Sequence, residues 1–190
     1  MKSEVQIIKG KKIPSSLLKT MNNERIRQYG KKTNRFKRKY HKETNFFLVK
    51  NGERVVSFGF LRPVKMNYKN KDYDIFALGG IMVVEEEKGK GYGAILIKAM
   101  VAYSKKSNKT SLGFCGDKVK GFYKKVGLKV KKDFSVRLEM ENPKTKERIP
   151  DVDGACPGIY YEGKDKFISK LTKTKGIATY WMEDIKEPHF

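Results

Sequence analysis

Residues Val83 to Met100 read VVEEEKGKGYGAILIKAM, and the stretch changes character halfway along. An apolar run ends in three glutamates, glycine then holds every second position from Gly89 to Gly93, and an amphipathic helical pattern starts at Tyr92. Amides freed of side chains between a strand and a helix form a concave array of N–H donors, where the helix dipole favours an anion. A pyrophosphate suits such a cradle. No Gly-Lys-Ser/Thr follows, so the stretch is not a P-loop, and its GxGxG spacing is not the GxGxxG of a dinucleotide fold. The competing reading is a flexible glycine turn with incidental lysines.

Upstream, EVQII (Glu4–Ile8) suits a short strand, and Pro14 with Ser15 or Ser16 opens a helix to Tyr29, carrying Leu18, Met21, Arg25 and Tyr29 near helical spacing. NFFLVKNGERVVSFGFL then reads as a hairpin about Asn51-Gly52, a pair favoured where both central turn residues take positive φ. A second antiparallel return passes through NYKNKD into YDIFALGGIMVVE. Downstream, Tyr92–Ser107 is helical, Lys109–Cys115 a strand and Asp117–Gly127 a short helix, with Asp117 as N-cap and Gly127 as stop. LKVKKDFSVRLEM (Leu128–Met140) reads as one further strand. Antiparallel strands followed by strand–helix alternation give an α/β chain of the α+β kind, a mixed and mostly antiparallel sheet flanked by helices. No repeat or linker interrupts it, so one domain over residues 1–190 is expected.

No apolar run is long enough to span a membrane, and the N-terminus lacks the apolar core of a signal peptide, so a cytoplasmic protein is expected. Cys115 and Cys156 are expected as free thiols, and neither sits in a metal-ligand spacing. The formal net charge is +22, with fourteen Lys or Arg against Glu4 and Glu24 in residues 1–42. The densest run, KKTNRFKRKYHK (Lys31–Lys42), could meet phosphates of a nucleic acid or of a smaller anion, although lysine on every solvated face is the plain reading.

With these elements in place the chain resembles the GCN5-related N-acetyltransferases, or GNAT family, whose phosphate-binding motif is Q/R-x-x-G-x-G/A after the fourth strand. Lys88, Gly91 and Gly93 stand at its three defined positions, with lysine for the usual arginine or glutamine. About thirty residues on, Phe122, Tyr123, Lys125, Gly127 and Leu128 match the family's tyrosine, lysine and Gly-Phe/Trp pattern. The resemblance covers residues 4–140, leaving 141–190 as an extension that completes the fold or lines the acceptor site.

The resemblance implies the acyl-CoA N-acyltransferase fold and acetyl-coenzyme A as donor, with coenzyme A as product. Backbone groups of Ile81, Met82 and Val83 would meet the pantetheine amides, and Lys88, Gly89, Lys90, Gly91, Tyr92, Gly93 and Ala94 would hold the pyrophosphate. Acetyl would pass directly to a primary amine, with Tyr123 as general acid for the thiolate, the Val83 or Val84 N–H facing the oxyanion, and Glu85 or Glu86 as base. Gly116 and Asp117 stand where many members carry asparagine. Cys115 reads as a buried small residue, and His41 and His189 as incidental. No metal is implied.

A cationic rim at residues 31–42 should favour phosphorylated or carboxylated amines, or an RNA-borne amine, over polyamines, unless acidic pockets overturn this locally. Tyr180 and Trp181 in TKGIATYWMEDI either line the acceptor pocket or complete the core. A small-molecule amine is the expected partner, with nucleic acid through residues 31–42 and a homodimer left open. Two alternatives stand beside the enzyme: a basic nucleic-acid-binding protein, and a catalytically silent GNAT-fold module that binds acetyl-coenzyme A.

Overall fold

The computed structural model describes residues 3–142, 144–150 and 155–181, so His189 and the end of TKGIATYWMEDI lie outside the described residues. Among the described residues, ten strands form a mixed, mostly antiparallel sheet with four α-helices, the fold class expected from sequence. The chain forms two compact units, residues 1–62 with 80–100 and residues 63–79 with 101–190.

In the first unit β1 (Glu4–Lys9) pairs antiparallel with β2 (Asn45–Asn51), and β2 with β3 (Arg54–Tyr68). The hairpin is where the sequence puts it, but its centre is one residue later. Asn51 faces Arg54, so Gly52 and Glu53 form the turn, and of these two only Gly52 has a positive φ. That is the glycine-first pattern of a II′ turn, and it keeps Asn51 in the ladder. Helix α1 (Ser15–Tyr29) starts after Pro14 and stops at Gly30, whose φ is +83°. Its Leu18 and Met21 pack on Phe58, Phe60 and Met82. Tyr29 does not share that face as its spacing suggested: it is 60% exposed, beside an Arg25 guanidinium that itself lies over the Phe36 ring.

The basic run is an anchored loop. Phe36 is buried, and Asn22 holds its backbone in both directions, donating to the Phe36 carbonyl (3.0 Å) and accepting from its N–H (2.7 Å). His41 is buried among Phe36, Phe46 and Phe60, with Arg62 Nη2 3.0 Å from Nδ1 and 3.2 Å from Nε2. An arginine only donates, so this imidazole is neutral. Burial, then the Arg62 and Arg25 charges, press its pKa down to about 3.

The unfolded chain takes up that proton near pH 6.5, so from 6.5 down towards 3 it binds more protons than the native state, and stability falls as the pH falls. Between about pH 6.5 and pH 4.5, above the carboxylate range, the loss should approach about 2 kcal/mol. Urea unfolding of His41→Gln should show that part of the slope removed; an unchanged slope would mean that His41 protonates freely in the fold.

In the second unit, the β3–β4 hairpin turns at Lys69 and Asn70, both with positive φ, and β4 (Lys71–Val83) pairs parallel with β5 (Ser111–Phe114) at Phe76–Ser111 and Ala77–Leu112. A Cβ at Gly113 would stand 2.1 Å from the Leu78 carbonyl oxygen, so only glycine permits this approach. Helix α2 (Tyr92–Lys106) leads from the first unit into the second. Helix α3 (Lys120–Lys125) begins later than expected: Asp117 opens a 3-10 turn and binds Lys120 Nζ at 2.9 Å instead of capping.

Residues 128–140 are not one strand. Strand β6 (Lys129–Lys131) and β7 (Leu138–Glu141) are separated by a break at Asp133, whose φ is +50°, where the Phe134 and Ser135 N–H groups turn to the Cys156 carbonyl. Beyond β8 (Arg148–Pro150), β9 (Gly158–Tyr161) pairs with both β5 and β6. Helix α4 (Phe167–Lys173) then leads to β10 (Ala178–Trp181), which pairs with β3 and β7. Tyr180 is 2% exposed in a core with Met66, Leu138 and Phe167, so it completes the core. Among the described residues no helix is long and apolar enough to cross a membrane.

Candidate active site

The exit of β4 decides which backbone groups are available. The Met82 carbonyl accepts from the buried Ser57 Oγ (2.8 Å), and the Val84 N–H donates to the Val56 carbonyl (3.0 Å), so both residues turn towards β3. Alternate residues of a strand turn their polar backbone groups to opposite edges, so Ile81 and Val83 turn theirs away from β3. The Val84 N–H is therefore committed, and of the two oxyanion donors expected from sequence Val83 remains. Its carbonyl accepts from Gln28 Nε2 at 2.8 Å.

The strand does not continue through the glutamates. Glu85–Glu87 form a 3-10 turn. Each carboxylate finds cations: Glu85 pairs with Lys88, Glu86 with Arg27 and Arg54, and the buried Glu87 with Arg54 (3.5 Å) and Lys90 (3.0 Å). The hydrogen bond from Arg27 holds the Glu86 pKa down to about 2. Arg27 thus holds the Glu86 carboxylate in its charged, paired form.

The glycine loop follows. Gly89 and Gly91 have φ of +80° and +84°, and a Cβ built on either meets no other atom within 4 Å. Left-handed glycines alternating with other residues turn successive N–H groups to one side, and open space lies where the side chains are missing. The Gly91 carbonyl accepts the Ala94 (3.0 Å) and Ile95 (3.2 Å) N–H groups and so starts α2, whose first amides have no acceptor within the helix. Lys88 and Lys90 flank the loop, and Asn51 Nδ2 donates to the Tyr92 hydroxyl at 3.1 Å, tying it to the β2–β3 hairpin. This geometry fits a pyrophosphate.

Sequence reading passed over the clamp that holds the exit of β4 from α1. Gln28 Nε2 donates to Glu24 Oε1 (2.6 Å) as well as to Val83, and the same Glu24 oxygen accepts from Arg27 (2.7 Å) and from the Glu85 N–H (3.1 Å). Burial works to raise the Glu24 pKa, and these donors outweigh it, so the group lies below its ordinary value. The signal was present as Glu24, Arg27 and Gln28 at i, i+3 and i+4 on one helix face. Beside the clamp, α1, the start of β3 and Val84 enclose an open groove of about 610 Å³. Leu17, Met21, Val55 and Phe58 supply apolar lining, and Glu24, Glu53, Glu86, Arg27 and Arg54 supply charges of both signs.

Tyr123 belongs to the second unit, on α3, with its ring edge-on to Phe122. Its backbone is fixed by the helix stop: the Leu128 N–H returns to the Tyr123 carbonyl (3.0 Å), the Gly127 N–H to Lys124 (3.2 Å), and Gly127 has φ of +99°. This is a Schellman motif, and it explains why glycine and an apolar residue follow the tyrosine at that spacing. Cys115 is buried with its thiol pKa raised, first by burial, so it is held as a thiol.

Comparison with known proteins completes the assignment. A family model described as an acetyltransferase (GNAT) domain matches residues 16–130. Among solved structures, Escherichia coli ElaA is 14% identical, with a TM-score of 0.58, over 85% of this chain and 100% of its own. An acyl-CoA N-acyltransferase from Pseudomonas aeruginosa is 8% identical, with a TM-score of 0.57, over 84% and 99%. The GNAT family N-acetyltransferase YhbS of Escherichia coli, solved in complex with CoA, is 14% identical, with a TM-score of 0.52, over 94% and 89%. Likeness at these identities shows the shared fold, and among curated proteins none matches the chain in sequence. With more than half of its residues inside the family match, the chain belongs to the GNAT acetyltransferases.

Proposed function

We propose that this chain is an N-acetyltransferase that moves acetyl from acetyl-coenzyme A directly to the primary amine of a small molecule in the cytoplasm. The observation that carries the reading is the open, left-handed glycine loop with its two lysines between β4 and α2. Bound there, acetyl-coenzyme A supplies an activated thioester. The Lys88–Ala94 amides hold its pyrophosphate, the outward backbone of Ile81 and Val83 meets the pantetheine, and the Val83 N–H stands ready for negative charge on the acyl oxygen. Tyr123 supplies the proton for the departing thiolate. Glu85, exposed and paired only with Lys88 among the described residues, is the carboxylate left to accept the amine proton through water.

The groove beside α1 supports a narrower choice of acceptor. Its apolar lining and its rim of both signs suit an amine that also carries a carboxylate on an apolar body, and Arg54, 3.5 Å and 3.7 Å from its partners, would take that carboxylate. Calorimetry with acetyl-coenzyme A, followed by turnover with amino acids, dipeptides and polyamines, tests the reading. Binding together with turnover of amino-carboxylates is the expected result. Binding without turnover on any amine would favour a cofactor-binding module, and no binding by the folded protein would end the enzymatic reading.

A further inference from the structure

The anchored basic loop is not used by the acetyl-transfer reading, and its construction points outward. Lys31, Lys32, Arg35, Lys37, Lys39 and Lys42 are all exposed, and among the described residues Lys31, Lys32, Arg35, Lys37 and Lys42 have no ion-pair partner. The carboxylates nearest in sequence are engaged elsewhere, Glu43 with Lys9 and Glu24 within the α1 clamp. The loop is held at several points by its backbone and its non-lysine residues. Asn22 holds Phe36, Arg25 Nε donates to the Asn34 carbonyl (3.0 Å), Arg38 donates to the Ile13 carbonyl (2.7 Å), and the Lys11 N–H donates to the Lys42 carbonyl (3.0 Å), which brings Lys11 and Lys12 to its end.

Two aromatic rings stand in this surface. Arg25 joins the exposed Tyr29 ring (6.0 Å) to the loop through Phe36 (4.6 Å), and Lys37 and Lys39 lie over the Tyr40 ring at 5.8 Å and 4.5 Å. Cations scattered on a solvated surface need neither a fixed backbone nor an exposed ring among them. Cations on an anchored loop, with the exposed Tyr29 ring at its start, match a chain of phosphates whose bases can stack.

We propose that residues 29–42, with Lys11 and Lys12, form a docking surface for single-stranded nucleic acid. Fluorescence anisotropy with a labelled oligouridylate tests it. If about five phosphates are neutralised, affinity should drop about 100-fold between about 50 and about 200 mM salt. Replacing Lys31, Lys32, Lys37 and Lys42 together by Gln should weaken binding at least tenfold and flatten that slope. Tyr29→Ala should weaken it about tenfold with the slope unchanged, as loss of one stacked base would.

The control changes the exposed Lys131, Lys144, Lys164 and Lys175 of the second unit to Gln, which removes the same charge. An equal loss in the control would overturn the proposal, since attraction would then follow net charge. Equal affinity for duplex DNA or for polyglutamate would overturn it too, because neither offers unpaired bases. A measured affinity for the oligouridylate no better than for these competitors, in a folded protein, has the same meaning. None of these readouts depends on acetyl transfer, so the surface and the active site stand or fall separately.

Discussion

Gly91→Val should weaken acetyl-coenzyme A binding by at least 100-fold while leaving the protein folded. The position has φ of +84°, a conformation that a β-branched residue adopts only under strain, and relief of that strain would turn the neighbouring N–H groups out of the cradle. Hydrogen bonds to a charged group contribute about 1.5–3 kcal/mol each, so losing two of them already corresponds to a factor of about 100. A Cβ at this position meets no other atom within 4 Å, so the substitution does not overpack the interior, and its bulk falls in the space left for the anion. Gly30→Val separates strain from binding. Gly30 also has a left-handed φ, +83°, and open space around it, but it ends α1 away from the glycine loop in sequence. It should lose stability comparably and bind the cofactor as the wild type does. Calorimetry that finds Gly91→Val binding normally would show that the loop does not hold the pyrophosphate.

The glycine loop and the elements on either side of it were legible because their signals are local. Alternate glycines from 89 to 93, a strand before them and a helix after them require no knowledge of the rest of the chain, and the hairpins follow from turn chemistry over a few residues. The readings that failed depended on distant groups. Glu85–Glu87 look like the end of a strand until Arg27, Arg54, Lys88 and Lys90 are placed around them. Leu128–Met140 alternates like a strand, yet the Cys156 carbonyl, more than twenty residues away in sequence, takes the amides that break it. Tyr29 has helical spacing with Leu18, but Arg25 already covers Phe36 and leaves the tyrosine outside.

Tyr123→Phe should lower kcat by about 100-fold to 10,000-fold, the usual contribution of a positioned general acid, with KM for donor and acceptor little changed. The substitution removes one hydroxyl and keeps the ring that meets Phe122 edge-on. It also keeps the backbone carbonyl that receives the Leu128 N–H, so the Schellman stop at Gly127 and the start of the following strand are untouched. An effect on turnover alone therefore belongs to the hydroxyl. Phe122→Leu, on the neighbouring and partly exposed ring, controls for disturbance of α3 and should leave kcat within about threefold, since only rim packing changes. If both variants lose turnover equally, the helix is at fault and Tyr123 has no special part. If Tyr123→Phe retains full kcat while Gly91→Val abolishes binding, the cofactor site stands and the proton for the thiolate comes from elsewhere, solvent included.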